Sequence, residues 1–177
     1  MAVLVEGISV IIKKEAIIAR YPGGWDGFKV NPPNKTLCAD NELVRVGFMT
    51  PDDAHAYVES LAQYGIIHRE DGKAVDIVVA DQQRGFTSQC DWAEFGNIDW
   101  HNEPSMKVSV CRRIPSKCNQ LITPDGWEYY NSLSANYKHI ETRWVPEFMD
   151  FLRHENGIDV YRDLETGKEV YVGRTNA

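Results

Sequence analysis

The stretch LVRVGFMTPDDAHAYVESLAQYGI, residues 43–66, carries the clearest structural pattern in the sequence. Its first residues place apolar side chains at every second position, which is typical of a strand. Thr50 and Pro51 then combine a residue that caps helices with one that suits the first helical turn. Apolar residues recur at helical spacing until Gly65, a residue that favours a helix end. The stretch therefore predicts a strand followed by an amphipathic helix.

A hairpin is predicted directly after this helix. Asp71-Gly72 lies between two runs of strand-forming residues, 66–69 and 74–80, and is a typical two-residue turn. The segment GFMTPDDAHAYVESLAQYGI, residues 47–66, resembles the βα modules of vicinal oxygen chelate domains and of ferredoxin-like domains. The resemblance implies a fold only, and it carries no site residue onto this chain.

The rest of the chain is assigned from shorter patterns. Strands are predicted at 3–12, 106–113, 158–162 and 169–172, and helices at 13–21, 123–137 and 146–155. Residues 22–42 are predicted to form a loop, and residues 82–105 show no clear period beyond a short strand at 91–95. Several strands adjoin through short turns. The chain is therefore predicted to be a single α+β domain, residues 1–177, with a mixed, mostly antiparallel sheet and three to four helices packed on it.

The charge of the chain limits its partners. It has 26 Asp and Glu against 19 Lys and Arg, a formal net charge of -7. An acidic surface repels phosphate backbones and anionic lipid heads, so neither nucleic acid nor membrane is an expected partner. A basic partner would suit it. The first apolar run ends at Lys13 and Lys14, which is too early for a membrane span or a signal peptide, and we predict a cytoplasmic protein.

Cysteines and cofactor motifs give no sign of a known chemistry. The four cysteines are scattered without a CxxC pair and are predicted to be free thiols: Cys38, Cys90, Cys111 and Cys118. The sequence contains no glycine-rich phosphate loop, HExxH segment or nucleophile elbow. No cofactor is therefore predicted, and whether the chain is an enzyme stays open.

Residues 81–103 are the strongest candidate for a binding site. They follow an apolar strand and are rich in polar and aromatic residues, as functional loops on a scaffold often are. The predicted binding residues are Asp81, Arg84, Trp92, Glu94, Trp100 and His101. Asp99, His101 and Glu103 alternate as metal ligands can, but such sets arise by chance in a charged chain, and no metal is predicted. The competing interpretation is irregular structure whose tryptophans fill the core.

Two classes of function remain. The first is a non-enzymatic acidic protein-binding module, a partner of the kind that immunity proteins and antitoxins are, and it is favoured because no catalytic motif is present. The alternative is a small-molecule-binding domain or an enzyme with a pocket under the 81–103 segment. An exposed aromatic patch would favour the first class. A closed cavity lined by Trp92 and Trp100 would favour the second.

Overall fold

The computed structural model describes residues 1–115, 120–135, 149–155, 158–163 and 169–173. These residues form a mixed α/β structure with mostly antiparallel sheets and three α-helices. The helices are α1 (Lys14–Arg20), α2 (Gly24–Lys29) and α3 (Pro51–Ala62). The strands are β1 (Ala2–Val5), β2 (Ile8–Lys13), β3 (Cys38–Ala39), β4 (Leu43–Phe48), β5 (Arg69–Glu70), β6 (Lys73–Ala74), β7 (Ile77–Asp81), β8 (Gly85–Phe86), β9 (Ala93–Asp99), β10 (Lys107–Arg113), β11 (Leu121–Ile122), β12 (Met149–Glu155), β13 (Ile158–Asp163) and β14 (Glu169–Gly173). In the parts of the chain that the structure describes, no helix has the length and apolar character needed to cross a membrane.

A five-stranded sheet in the order β3-β4-β2-β7-β8 lies at the centre of the described structure, and every neighbouring pair in it is antiparallel. Because β4 and β7 both run against β2, they are parallel to each other, and α3 lies in the connection between them. One face of this sheet packs against the three helices. The other face packs against the second sheet. Both faces of β4 are therefore buried, which explains its apolar sequence.

The second sheet has four strands in the order β11-β1-β10-β9. β1 runs antiparallel to β10 and parallel to β11. β9 and β10 form a long hairpin, paired from Lys107 with Asp99 to Arg113 with Ala93. Its connection contains a 3-10 turn at Trp100–Asn102, in which His101 and Asn102 both have positive φ angles.

The single strand predicted at 3–12 is wrong, since the chain there forms β1 and β2 in two different sheets. The break falls at Glu6 and Gly7. Gly7 has a φ of +57°, and a Cβ at this position would lie 2.6 Å from the carbonyl oxygen of Phe48. Glycine thus allows one apolar run to turn a corner and serve both sheets.

The strand and helix predicted from residues 43–66 are confirmed, and a hairpin follows them. The hairpin is shorter than predicted, because the run 74–80 bends at Val75 and Asp76 and continues as β7 of the five-stranded sheet. Thr50 caps α3, because its hydroxyl accepts a hydrogen bond from the Asp53 amide at 3.2 Å. Gly65 follows the helix with a φ of +78°, and Ile66 is fully buried behind it. Asp71 and Gly72 form the turn of the β5–β6 hairpin with φ angles of 52° and 78°.

Three other predictions need correction. The predicted loop at 22–42 contains α2 and β3. The helix predicted from residue 123 is absent as far as residue 135, and only a 3-10 turn at Tyr129–Asn131 occurs there, because Gly126 leaves the helical region with a φ of +79°. The helix predicted at 146–155 is wrong over residues 149–155, which form β12, and residues 146–148 lie outside the described part.

The predicted hairpin at the end of the chain is confirmed. β12, β13 and β14 form a three-stranded antiparallel sheet, with β13 in the middle. The turn predicted at 165–167 lies outside the described residues.

Candidate aromatic surface

The segment 81–103 contains more regular structure than the expected irregular loop. It includes β8 and β9, and β9 pairs with β10 along its whole length. Exposed and partly buried residues do not alternate regularly along β9, so the sequence shows no clear two-residue period there. Because β9 is about 20 Å long at the usual rise per residue, the segment cannot form one compact loop.

Asp81 and Arg84 lie together in the β7–β8 turn. Asp81 Oδ1 accepts hydrogen bonds from the amides of Gln83 at 2.8 Å and Arg84 at 3.1 Å. The Arg84 residue is exposed. The observed role of Asp81 is therefore to shape a tight turn.

Trp92 and Glu94 lie near the start of β9. Trp92 is only 8% exposed, and its Nε1–H donates to the carbonyl oxygen of Ala74 at 3.1 Å. Lys13 and Arg113 lie over its ring, 4.9 and 5.6 Å from the centroid. Glu94 forms an ion pair with Arg112 of β10 at 2.7 Å. The described contacts of Trp92 and Glu94 are thus contacts of the core and of the β9–β10 hairpin.

Trp100 and His101 lie at the opposite end of β9. The structure thus divides the six predicted binding residues among three places and brings only adjacent pairs together. Trp100 meets aromatic residues that the sequence interpretation had assigned to a helix. Five residues form a cluster that we call the aromatic surface: Trp100, His101, Trp127, Tyr129 and Tyr130.

The rings of the aromatic surface pack mostly edge to face. Trp127 stands at 83° to Trp100 with 5.3 Å between centroids, and at 76° to Tyr129 with 6.4 Å. Trp100 and Tyr129 are nearly parallel, 6.2 Å apart. Tyr129 is buried and forms the base, Trp100 and Trp127 are partly exposed, and Tyr130 is 74% exposed. Edge-to-face packing of this kind gives the cluster a defined shape.

The two stretches of sequence that supply the rings of the aromatic surface are acidic. Its rings come from residues 85–106 and 120–135, and neither stretch contains a Lys or Arg. Glu103, Asp125 and Glu128 are exposed within these stretches. Asp99 forms an ion pair with Lys107. Several exposed carboxylates therefore lie in the two stretches that supply the rings.

A buried carboxylate anchors the aromatic surface to the sheets. Glu6, at the corner between β1 and β2, is only 7% exposed. Its Oε1 accepts from Trp127 Nε1–H at 2.9 Å, and its Oε2 accepts from the amide and the hydroxyl of Ser134, both at 2.7 Å. Sequence analysis missed Glu6. The signal was present, since an acidic residue interrupts the apolar run of residues 2–12 next to a glycine.

Arg45 braces the same corner from the other side. It is 3% exposed and donates to the Glu6 carbonyl oxygen at 2.9 Å, the Ser9 hydroxyl at 3.0 Å and the Thr36 carbonyl oxygen at 3.1 Å. Burial lowers the pKa of Arg45. Gly47 leaves room for the guanidinium, because a Cβ there would lie 2.3 Å from one of its nitrogens. The contacts of Arg45 are thus structural.

Neither nucleophilic nor metal chemistry gains support from the described residues. Burial raises the pKa of the thiols of Cys38, Cys90 and Cys111, which makes each a weaker nucleophile at neutral pH. All three are free thiols, and Cys118 lies outside the described part. Within that part, no three His, Cys, Asp or Glu residues gather to hold a metal ion.

Comparison with known proteins adds no relative. No protein-family model, no curated protein and no solved structure matches the chain. Function can therefore be inferred only from the chemistry of the chain itself.

Proposed function

We propose that this chain is a non-enzymatic, acidic protein-binding module whose aromatic surface receives an arginine-rich segment of a partner protein. One observation carries the proposal. Two partly exposed tryptophan rings meet at the surface, and the stretches that supply them contain carboxylates and no Lys or Arg. Immunity proteins and antitoxins are small acidic partners of this kind, and the net charge of -7 fits such a role.

Arginine is the group that this surface suits best. A guanidinium stacks on an indole face and can also form two hydrogen bonds to a carboxylate. Each cation–π contact contributes about 0.5–1 kcal/mol at an exposed site, and more where water is excluded. A short basic segment could contact Trp100 and Trp127 while its charges face Asp125 and Glu128.

The arrangement also has the form of an interaction hot spot. Tyr129 supplies a buried base, the tryptophans supply partly exposed apolar area, and the acidic residues supply a polar rim. Of the six residues predicted from sequence, the proposal keeps Trp100 and His101. The other four have the structural contacts described above or lie in the β7–β8 turn.

Binding of a labelled peptide of Arg-Gly repeats, measured by fluorescence anisotropy, tests the proposal. We expect a Lys-Gly peptide to bind more weakly and a Glu-Gly peptide not to bind. The variant Asp125→Asn/Glu128→Gln should lose roughly tenfold in affinity, the equivalent of about 1.4 kcal/mol. The control Glu42→Gln/Glu70→Gln changes the net charge equally at exposed sites elsewhere. An equal loss in both variants would mean that net charge alone attracts the peptide.

Location and architecture complete the proposal. Free thiols at the described cysteines support a cytoplasmic location. The arrangement of β4, α3 and β7 around β2 is that of a split βαβ unit, and it supports a likeness to ferredoxin-like domains. We propose one domain for the whole chain.

A further inference from the structure

We propose that Glu6 is a positioning residue, whose buried carboxylate holds the aromatic surface in its binding geometry. This inference rests on the proposed function. The three hydrogen bonds of the carboxylate all go to residues 127–134, which are 121 and 128 positions away in the sequence. Trp127, Tyr129 and Tyr130, three of the five members of the aromatic surface, lie in this segment.

The segment 123–135 has little regular structure of its own. Its only regular element in the structure is the 3-10 turn at Tyr129–Asn131. The backbone hydrogen bonds found there join residues three positions apart within the segment and do not connect it to either sheet. Its position must therefore come from side-chain contacts with the body. Glu6 provides three of these contacts, and Gln82 adds another by donating to the carbonyl oxygen of Leu133 at 3.1 Å.

The bond to Trp127 fixes the orientation of the indole ring as well as its position. The ring stands at 83° to Trp100, and in this orientation its Nε1–H points at Glu6. Without this acceptor, the partly buried N–H would lose its partner, which would favour a turn of the ring toward water. Glu6 thus acts on the partner through Trp127.

A buried carboxyl group is costly unless it is fully hydrogen-bonded, and an apolar residue would suit a purely structural corner as well. Gly7 already makes the turn, and Arg45 already braces it through the Glu6 backbone. The Glu6 side chain is therefore not required for the corner itself. Its described contacts are explained by the segment that it holds.

The variant Glu6→Gln tests this inference, because glutamine keeps the shape but places an amide N–H₂ against donors. The indole N–H of Trp127 should be protected from hydrogen exchange in the native protein. We expect its exchange, followed by NMR and assigned with Trp127→Phe, to become roughly tenfold faster in the variant. Affinity for the Arg-Gly peptide should fall by a similar factor.

The matched control is Asp76→Asn. Asp76 is another carboxylate that is 7% exposed, and it accepts from Arg20 and from the Ile67 amide far from the aromatic surface. Asp76→Asn should lower stability without changing the Trp127 indole or peptide affinity. Glu6→Gln and Trp127→Phe together should weaken peptide binding no more than either alone.

The outcomes separate this inference from the proposed function. Suppose that indole exchange is faster in Glu6→Gln but that even the native protein does not bind the peptide. The hydrogen bond would then be confirmed, while the binding function and the positioning role would both be contradicted. Unchanged indole exchange, or additive losses in the double variant, would contradict the positioning role alone. If Glu6→Gln does not fold, Ser134→Ala removes one of the three bonds and should produce the same changes at smaller size.

Discussion

Two pairs of tryptophans in this molecule have opposite surroundings. Lys14 Nζ lies 4.3 Å from the ring centroid of Trp25, and Lys13 and Arg113 lie over Trp92. Among the described residues, no Lys or Arg lies over Trp100 or Trp127. Trp25 in the first pair and both rings of the second pair have aromatic neighbours, so aromatic contact does not distinguish the pairs and the cations do. The chain itself places cations over Trp25 and Trp92, and the proposed function assigns the rings of Trp100 and Trp127 to an external cation.

The difference also appears in how the surrounding groups are used. On the helix side, Trp25 stacks on Phe28, and Phe28 meets Tyr21 edge to face. Burial there raises the pKa of Tyr21, with Tyr64 adding to the shift and a hydrogen bond from Asn31 opposing it. These rings serve the packing of α1 and α2 on the sheet. At the aromatic surface, the stretches that supply the rings contain exposed carboxylates and no Lys or Arg.

The largest effect should be the loss of stability when Trp92, which has cations over its ring, is replaced. Trp92→Ala removes a core side chain and leaves the Ala74 carbonyl without its donor, and should cost about 3–5 kcal/mol in urea denaturation. Trp100→Ala should cost less than half as much, because Trp100 is partly exposed. Equal losses of unfolding free energy in the two variants would show that Trp100 is a core residue like Trp92. The contrast between the two pairs of tryptophans would then not hold.

A lysine added beside the uncovered rings should block the surface. Asp125→Lys reverses an exposed charge two residues before Trp127. The new lysine gives the Trp100 and Trp127 rings a cation from the chain itself. Affinity for the Arg-Gly peptide should fall by more than about tenfold. Glu70→Lys, the same change on β5, serves as the control in the same anisotropy assay and should lose much less.

Removing the lysine that lies over Trp25 should have a smaller effect on stability. Lys14→Met takes away the charge over Trp25 and the bond to the Asp40 carbonyl oxygen, and should cost about 1 kcal/mol. Lys35→Met, at an exposed position, is the control in urea denaturation. A change of equal size in both variants would mean that the contact between Lys14 and Trp25 has no energetic weight.

The smallest effect is a pH dependence on the helix side, near α3. Burial lowers the pKa of His68, and the charges of Arg69 and His55 lower it further. The folded state therefore favours neutral His68. The contribution of His68 to stability is complete above its unfolded pKa of about 6.5 and is lost as the pH falls through its lower pKa in the folded state. His68→Gln should flatten the decline in urea stability on acidification, whereas His55→Gln should flatten it much less, because His55 is the smallest of the three causes of the shift.

The sequence predicts those parts of the fold in which local and tertiary preferences agree. Thr50, Gly65 and Gly72 mark α3 and the next hairpin by their own backbone chemistry, and all three do so in the structure. The region of residues 123–135 has an equally good helix start, but Gly126 and the bonds to Glu6 override it.

The sequence predicts only part of the candidate site, because local patterns do not show which distant residues come together. Trp100 and His101 were predicted because they lie in a polar, aromatic stretch. Trp127 was assigned to a helix, and Glu6 was hidden in a strand. Glu6 next to Gly7 is a local signal, but its partners are not visible in the sequence, because the pairing of β1 with β10 and the corner at Gly7 are long-range contacts.

The most direct test of the central claim is an NMR titration of the tryptophan indole signals with the Arg-Gly peptide. Phe substitutions at Trp25, Trp92, Trp100 and Trp127 assign the signals. The account predicts saturable shifts of the Trp100 and Trp127 indoles, while those of Trp25 and Trp92 stay in place. Shifts at Trp25 or Trp92 with none at Trp100 and Trp127, or no saturable shift at all, would contradict it.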